Sequence, residues 1–205
     1  MLYKVCGMRE KTNVAALSDL PIHMVGLNFY PESKRYISDD NPEDAFDSLS
    51  DDISLVGVFV KEEFDVVVSY IDSYQLDYVQ LHGGETSMYC NAMKDLAGVI
   101  KVFSVDDDFD FLETKEFEEV DYFLFDTKSK EHGGSGKKFD WAKLDQYKGN
   151  TPFLLAGGIG PNDYELILQL KHKRFAGVDL NSKFENSPAL KDIGLIKNFV
   201  KQTSV

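Results

Sequence analysis

The chain of 205 residues carries 22 basic and 35 acidic side chains, and its net charge of −13 disfavours nucleic acid or an anionic membrane as a partner. Its composition, 43% hydrophobic and 13% aromatic, predicts a packed core, and no apolar run approaches the roughly 20 residues that span a membrane. Two cysteines and an N-terminus without a signal-peptide pattern predict a cytoplasmic protein. An anionic ligand would have to bind despite the repulsion from this net negative charge.

Eight short apolar runs recur along the chain, and each is followed by a polar or amphipathic stretch. They are rich in Val, Ile, Leu, Phe and Tyr, and several are continuous rather than alternating. Continuous apolar strands are typical of a sheet buried on both faces, which usually means parallel strands covered by helices. The predicted strands are 2–6, 23–27, 54–60, 77–81, 98–103, 121–125, 152–156 and 176–180.

The stretches between the strands predict helices, because apolar residues recur there at spacings of three and four. Phe64, Val67 and Ile71, for example, share one face of a predicted helix. Pro161 opens another, since proline is favoured in the first helical turn. The predicted helices are 62–74, 106–118, 161–170 and 188–202, with weaker patterns near 10–18, 41–49, 85–95 and 139–147.

Eight strand–helix units with nearly even spacing predict an α/β fold, a single (β/α)8 TIM barrel. The chain is close to the minimal size for this fold, roughly 200 residues, so we expect one domain over 1–205 and no added domain. A doubly wound open sheet is the alternative, although eight successive units without a linker favour closure. Chemistry in such a barrel lies at the carboxyl ends of the strands, which selects the candidate residues.

Cys6 ends the first strand and is followed by a glycine. One interpretation is a small buried hydrophobe, since free cysteine often packs that way. The other is a thiolate that acts as a base or nucleophile, which needs an electropositive and partly open site. Lys4 and Arg9 are close in sequence, but strand alternation leaves Lys4 able to point elsewhere. Cys90 falls on a predicted helix, and we expect it to pack in the core.

Three further side chains follow predicted strands. Asp126 ends the sixth apolar run, where apolar neighbours favour an acid with a raised pKa; capping the next loop is the alternative. Arg35, after the second strand, can pair with a ligand carboxylate in a bidentate way or lie on the surface. His82 follows the fourth strand, and we expect it to support ligand binding.

Gly157 and Gly158 lie between the seventh strand and the next predicted helix. Glycines let backbone N–H groups approach an oxyanion, and a helix N-terminus adds a positive dipole end, so this is a candidate phosphate cradle. A tight strand-to-helix turn is the alternative. After the eighth strand, Asp179 is followed by Asn181 and Ser182, which can supply further donors. Backbone amides offer positive potential without formal charge, which is one answer to the acidic composition.

Short motifs at the predicted strand ends occur in a specific joint order. They are Lys4-Val5-Cys6-Gly7-Met8, Ser33-Lys34-Arg35-Tyr36-Ile37, Val79-Gln80-Leu81-His82-Gly83, Asp126 with Gly133-Gly134-Ser135-Gly136 and Phe139-Asp140-Trp141, Leu155-Ala156-Gly157-Gly158-Ile159, and Gly177-Val178-Asp179. Each motif alone is weakly specific. Together they resemble the phosphoribosylanthranilate isomerase family over essentially the whole chain.

The resemblance implies an Amadori rearrangement in tryptophan biosynthesis, in which N-(5-phosphoribosyl)anthranilate becomes 1-(2-carboxyphenylamino)-1-deoxyribulose 5-phosphate. It implies that Asp126 is the general acid that opens the ribose ring and that Cys6 is the general base that removes the C2 proton. It also implies that Arg35 holds the anthranilate ring and carboxylate, while the loops after strands seven and eight hold the phosphate. The iminium nitrogen serves as electron sink, so no metal or cofactor is expected.

The chain departs from the family after Asp179, where the family commonly continues with two serines and a glycine. Here the run is Leu180-Asn181-Ser182-Lys183-Phe184-Glu185. Asparagine can still donate to phosphate. Lys183 in place of glycine puts the backbone shape of the loop in doubt, and its side chain either adds a cation near the phosphate or points to solvent.

Two alternatives belong to other functions. One is another phosphosugar isomerase on the same barrel, such as a neighbouring enzyme of tryptophan or histidine synthesis; the histidine-pathway isomerase family has an aspartate base where this chain has Cys6. The other is a non-catalytic phosphosugar-binding barrel, in which ligand binding survives loss of Cys6 or Asp126. We expect a small phosphosugar as the partner and a monomer as the assembly, with a homodimer as the alternative.

Overall fold

The barrel predicted from the sequence is present. A computed structural model describes residues 1–38, 46–128 and 138–204. Eight parallel strands pair in chain order and close, with β1 hydrogen-bonded to both β2 and β8. The strands are β1 (Leu2–Cys6), β2 (Met24–Asn28), β3 (Ser54–Phe59), β4 (Tyr78–Leu81), β5 (Gly98–Val105), β6 (Tyr122–Thr127), β7 (Phe153–Leu155) and β8 (Phe175–Leu180).

Both faces of the strands are buried, which explains their continuous apolar sequences. Inward-facing side chains fill the barrel, and the alternate positions pack against the surrounding helices. The inner layer includes Met24, Val56, Ile100, Leu124 and Leu154. Within the described ranges, no helix has the length and apolar character needed to cross a membrane.

The helical layer differs in part from the prediction. Segments 106–118 and 139–147 contain 3₁₀ helices, Phe111–Phe117 and Trp141–Gln146, rather than α-helices. In the first, Phe111 and Thr114 are buried three residues apart, which is the repeat of a 3₁₀ helix. The α-helices are α1 (Lys11–Ala15), α2 (Phe64–Tyr74), α3 (Ser87–Met93), α4 (Tyr164–Gln169) and α5 (Ile193–Thr203).

Two helix predictions need further correction. The predicted helix near 41–49 lies largely outside the described residues, and 46–49 form a turn. The predicted helix 188–202 begins too early, because Asp192 caps α5 by accepting from the N–H of Leu195. The preceding residues form an antiparallel hairpin of β9 (Glu185–Ser187) and β10 (Leu190–Lys191). This hairpin lies beside the mouth of the barrel.

Candidate active site

One pocket at the carboxyl end of the barrel is lined by every residue that the sequence predicts for the site. Parallel strands end at the same edge of a barrel, so residues distant in the chain meet there. The predicted residues that line this pocket are Cys6, Arg35, His82, Asp126, Gly157, Gly158, Asp179, Asn181 and Ser182. The structure therefore brings the predicted set together, and their surroundings indicate what each can do.

Lys4 lies inside the barrel next to Cys6. Positions two apart on a strand share a face, so both side chains point inward, and the alternative that Lys4 points elsewhere is wrong. Its Nζ donates to Oδ1 of Asp179 at 3.0 Å, and the two side chains are 0% and 7% exposed. A Cβ on Gly26 would lie 2.7 Å from Cys6 Sγ and 3.1 Å from Lys4 Nζ. Gly26 therefore provides the space in which thiol and ammonium meet.

Burial and the neighbouring charges act on the pKa of the Cys6 thiol in opposite directions. Burial raises its pKa above the ordinary value of 9.0. Lys4 lowers the pKa, Asp179 raises it, and Lys191 lowers it again, because cations stabilise the thiolate and anions disfavour it. The resting group is a thiol, and the two buried lysines provide the positive surroundings that a thiolate base needs.

Asp126 stands near the end of β6, three strands from β1 around the barrel. Burial raises the pKa of Asp126 to about 6, and the negative charge of Asp179 adds to the shift, while Lys4 opposes it. Nε2 of His82 lies 3.8 Å from Oδ2 of Asp126, beyond hydrogen-bonding distance. The carboxyl therefore keeps its proton to a higher pH than an exposed aspartate, as a general acid requires.

Arg35 is half-buried and already paired. Its Nε and Nη2 donate to the carboxylate of Glu185 at 2.8 and 2.6 Å. Burial disfavours the charged form, but the hydrogen bonds and charge of Glu185 raise the pKa of Arg35 overall. The expected bidentate partner was a ligand carboxylate, and in this structure it is Glu185. The alternative of a surface arginine is wrong, because the side chain is 11% exposed.

The glycine pair after β7 forms a tight turn. Gly157 and Gly158 have φ angles of +85° and +68°, which other residues rarely adopt. A Cβ on Gly157 would lie 2.3 Å from Thr127 Oγ1 and 2.7 Å from Asp126 Oδ1. This turn therefore passes directly against the end of β6. The helix does not begin at the predicted Pro161, since α4 starts at Tyr164.

The segment after β8 also differs from its expected shape. Ser182–Phe184 form one turn of 3₁₀ helix, and Lys183 is exposed, which favours the solvent orientation. The buried cation beside this segment is Lys191, whose Nζ donates to Oδ1 of Asn181 at 2.9 Å. A lysine only donates, so the Nδ2 group of Asn181 is directed away from Lys191.

Several residues of the mouth were not predicted. Glu185 and Lys191 belong to the unpredicted hairpin and had no sequence signal of their own. Gln80 lines the pocket from β4, and among the described residues its buried Oε1 has no hydrogen-bond partner. Lys4 could have been found from strand parity alone, since it shares a face with Cys6.

Part of the loop after β6 falls outside the described residues, including the motif Gly133-Gly134-Ser135-Gly136 and Lys137. Beyond that gap, Nζ of Lys138 lies 2.5 Å from Oδ1 of Asp163. The N–H of Phe139 donates to Thr127 Oγ1 at 3.2 Å, which attaches the returning chain to the end of β6.

The fold and the mouth together define a class of protein. Within the described parts of the chain, buried Lys4, Lys191 and half-buried Arg35 offset Asp179 and Glu185 around the pocket. When Asp126 is protonated, as in the reactive form, these five groups leave one net positive charge, which gives an acidic protein a place for a small anion. A carboxyl and a thiol on separate strands give this (β/α)8 barrel the two titratable groups that acid–base chemistry requires.

Comparison with known proteins specifies the family. The family profile described as N-(5'-phosphoribosyl)anthranilate (PRA) isomerase matches residues 3–202. The N-(5'-phosphoribosyl)anthranilate isomerase of Parabacteroides distasonis is 46% identical, covering 98% of this chain and 93% of the relative. The chain belongs to the N-(5'-phosphoribosyl)anthranilate isomerase family. It is an isomerase of the aldose–ketose type that acts in tryptophan biosynthesis.

Solved structures agree with this assignment. The crystal structure of phosphoribosyl anthranilate isomerase from Thermotoga maritima is 33% identical with a TM-score of 0.86, covering 100% of this chain and 99% of that one. Another, of phosphoribosyl anthranilate isomerase in complex with reduced 1-(o-carboxyphenylamino)-1-deoxyribulose 5-phosphate, is 29% identical with a TM-score of 0.85. It covers 100% of this chain and 98% of that one.

Proposed function

We propose that Asp126 and Cys6 are the acid–base pair of the Amadori rearrangement in this enzyme. The observation that carries the proposal is their placement: both line one pocket from separate strands, with the buried Lys4–Asp179 pair acting electrostatically on each. Separate strands allow the two groups to reach different atoms of one sugar.

The first step is ring opening. The carboxylic acid of Asp126 gives its proton to the ribose ring oxygen while the anthranilate nitrogen forms a double bond to C1. The C1–O bond breaks, and the product is an open-chain iminium ion. The raised pKa of Asp126, about 6, favours this step because the acid is partly protonated near neutral pH.

The second step is proton removal from carbon. The Cys6 thiolate takes the C2 proton, and the electron pair of that bond moves to form C1=C2 while the iminium nitrogen becomes neutral. The resulting enolamine takes a proton at C1 and loses one from the C2 hydroxyl, which gives the ketone. Lys4 supports the thiolate electrostatically, since its ammonium lies beside the thiol.

Cys6 and Asp126 together hold one proton in the working enzyme. The pKa of Asp126 is about 6, and that of Cys6 lies above 9.0, so between these values the pair carries a single proton. The reactive arrangement places this proton on Asp126 rather than on Cys6. We expect activity to fall below pH 6, where both groups are protonated, and above the pKa of Cys6, where both are ionised.

The two ends of the substrate call for different contacts. We assign the anthranilate carboxylate to Arg35, because Nη1 and one Nη2 hydrogen are not used by Glu185. We assign the phosphate to Gly157, Gly158, Asn181 and Ser182, with contacts to the sugar from His82 and Asp179. The relative in complex with a carboxyphenylamino deoxyribulose phosphate supports a ligand that has both charged ends.

We also propose that residues 1–205 act as a single catalytic domain, as a monomer in the cytoplasm. Cys6 and Cys90 are free in the structure, and a reducing compartment keeps the base Cys6 unoxidised. Light scattering that gives the mass of one chain supports the monomer, and twice that mass contradicts it. Cell fractionation tests the location.

The decisive experiment follows the loss of anthranilate-type fluorescence when enzyme is added to substrate. We expect Cys6→Ala and Asp126→Asn to fold, as judged by circular dichroism, and each to lose about 10²- to 10⁴-fold in kcat. Cys90→Ala and Asp65→Asn are matched controls outside the pocket and should retain activity. Near wild-type rates in both site variants would remove the acid–base assignment.

A further inference from the structure

The hairpin after β8 carries two buried charged side chains, and neither of them gives or takes a proton in the acid–base chemistry. Glu185 of β9 and Lys191 of β10 have side chains 4% and 0% exposed. Burying charge costs free energy unless each charge is paired and hydrogen-bonded. Glu185 and Lys191 pair with each other, and each also bonds a residue of the pocket.

Glu185 fixes the head of Arg35. Its two carboxylate oxygens accept from Nε and Nη2, the side edge of the guanidinium. Despite burial, Arg35 and Lys191 keep the pKa of Glu185 below its ordinary value, so it remains an anion near neutral pH. The end edge of Arg35, with Nη1 and one Nη2 hydrogen, is then the part that a planar ligand carboxylate can approach.

The stem of Arg35 is also confined. Gly7 follows β1 with a φ of +76°, and a Cβ there would lie 2.3 Å from Arg35 Cδ. The arginine stem thus crosses the backbone of Gly7 in van der Waals contact. With stem and head both constrained, little rotamer freedom remains to be lost on binding a ligand.

Lys191 connects the same hairpin to the other end of the pocket. Its Nζ donates to Glu185 and, at 2.9 Å, to Oδ1 of Asn181 in the segment after β8. Asn13 holds the backbone of Lys191 on both sides, since it accepts from the lysine N–H at 2.8 Å and donates to the carbonyl at 2.9 Å. Arg35 and Asn181 are therefore linked through one buried chain of charges.

We propose that Glu185 and Lys191 are positioning residues that hold Arg35 and Asn181 at a fixed separation, so that the pocket selects a substrate with a carboxylate at one end and a phosphate at the other. This inference rests on the proposed assignment of Arg35 and Asn181 to those two ends. Glu185 orients Arg35 without touching substrate, and Lys191 sets the orientation of the Asn181 amide.

The test is Glu185→Gln, which keeps the size of the side chain and removes its charge. We expect KM for substrate and the inhibition constant of product to rise about tenfold or more, with kcat within about threefold of wild type. Inhibition by inorganic phosphate should change by less than about twofold, since phosphate lacks the carboxylate that Arg35 receives. Glu165→Gln, on the exposed face of α4, is the matched control and should change none of these values.

A double-mutant cycle with Arg35→Ala separates positioning from general stability. If Glu185 acts through Arg35, Arg35→Ala/Glu185→Gln should bind product no more weakly than Arg35→Ala alone. Additive losses, or an equal loss of phosphate binding, would overturn the proposal. Tighter product binding by Glu185→Gln would overturn it as well, because Glu185 would then be a competitor for Arg35.

Glu185→Asp serves if the glutamine variant does not fold. It keeps the charge but shortens the reach, so we expect a smaller rise in KM for substrate in a folded protein, and an unchanged KM would contradict the positioning role. Loss of turnover in Cys6→Ala is measured in parallel. If Cys6→Ala keeps wild-type turnover, the proposed acid–base function is contradicted. If Cys6→Ala is inactive but the losses in the double-mutant cycle are additive, only the positioning role of Glu185 and Lys191 is contradicted.

Discussion

Two buried lysine–carboxylate pairs of the same length lie on opposite sides of the barrel wall. Lys4 and Asp179 pair at 3.0 Å inside the barrel. Lys101 and Glu85 pair at 3.0 Å outside it, since Lys101 alternates with inward-facing neighbours on β5. All four side chains are at most 7% exposed. Length and burial therefore do not distinguish the two pairs.

The two ion pairs differ in the groups that surround them. The inner pair acts on Cys6 and Asp126 and changes the pKa of both. In the outer pair, Glu85 also accepts from the backbone N–H groups of Lys61 and Gly83, which ties the loop after β4 to the loop after β3. A buried ion pair by itself is weak evidence for function, and the groups that it faces decide its role.

The largest difference is expected when each lysine is replaced by methionine. Both Lys4→Met and Lys101→Met leave a buried carboxylate unpaired and should cost about 3–5 kcal/mol in unfolding free energy. In the folded enzyme, however, Lys4→Met should lower kcat about 100-fold, because the Cys6 thiolate loses the stronger of its two lysine cations. Lys101→Met should change kcat by less than about threefold. Urea unfolding and the fluorescence assay measure the two effects. Equal losses of kcat in the two variants would contradict different roles for the inner and outer pairs.

A smaller predicted effect is the pH-dependent cost in unfolding free energy of ionising Asp126 in the folded protein. A carboxyl whose folded pKa is raised, here from 3.8 to about 6, is harder to ionise in the folded state. Its penalty is absent below pH 3.8, grows between the two values and is constant above pH 6, where it reaches at most about 3 kcal/mol.

Asp126→Asn cannot ionise, so it should be more stable than wild type at pH 7 to 8 and equal to it near pH 3. Unfolding curves at these pH values measure the difference. Equal stability at every pH would contradict a raised pKa for Asp126.

The smallest predicted effect is a change in unfolding free energy when Glu85 of the outer pair is replaced. The Lys101 charge and the bonds from the loop keep the pKa of Glu85 below its ordinary 4.5 despite burial. Glu85 therefore contributes stability above pH 4.5 that is lost as the pH falls through its folded pKa. Glu85→Gln should be less stable than wild type at neutral pH by about 1–3 kcal/mol, with a gap that closes in acid. A gap that stays constant down to the acid transition would contradict this linkage.

The strands were predictable because each needs a short run of apolar residues on both faces, and their ends then locate Cys6 and Asp126. The 3₁₀ helix Phe111–Phe117 was not, since its sequence has helical spacing and only tertiary packing selects the tighter turn. The hairpin of β9 and β10 could not be predicted from the sequence either. Its strands have three and two residues, and its charges gain partners only when distant Arg35 and Asn181 approach.

The most direct measurement of the central claim is the pH dependence of kcat/KM for wild type and Asp179→Asn. Wild type should give a bell with an acid limb near pH 6 and an alkaline limb above 9.0. The anion of Asp179 raises the pKa of both Cys6 and Asp126, so its removal should move both limbs to lower pH, whatever the loss in rate. Limbs that stay in place in Asp179→Asn would belong to the substrate, and they would contradict the assignment of Cys6 and Asp126 as the acid–base pair.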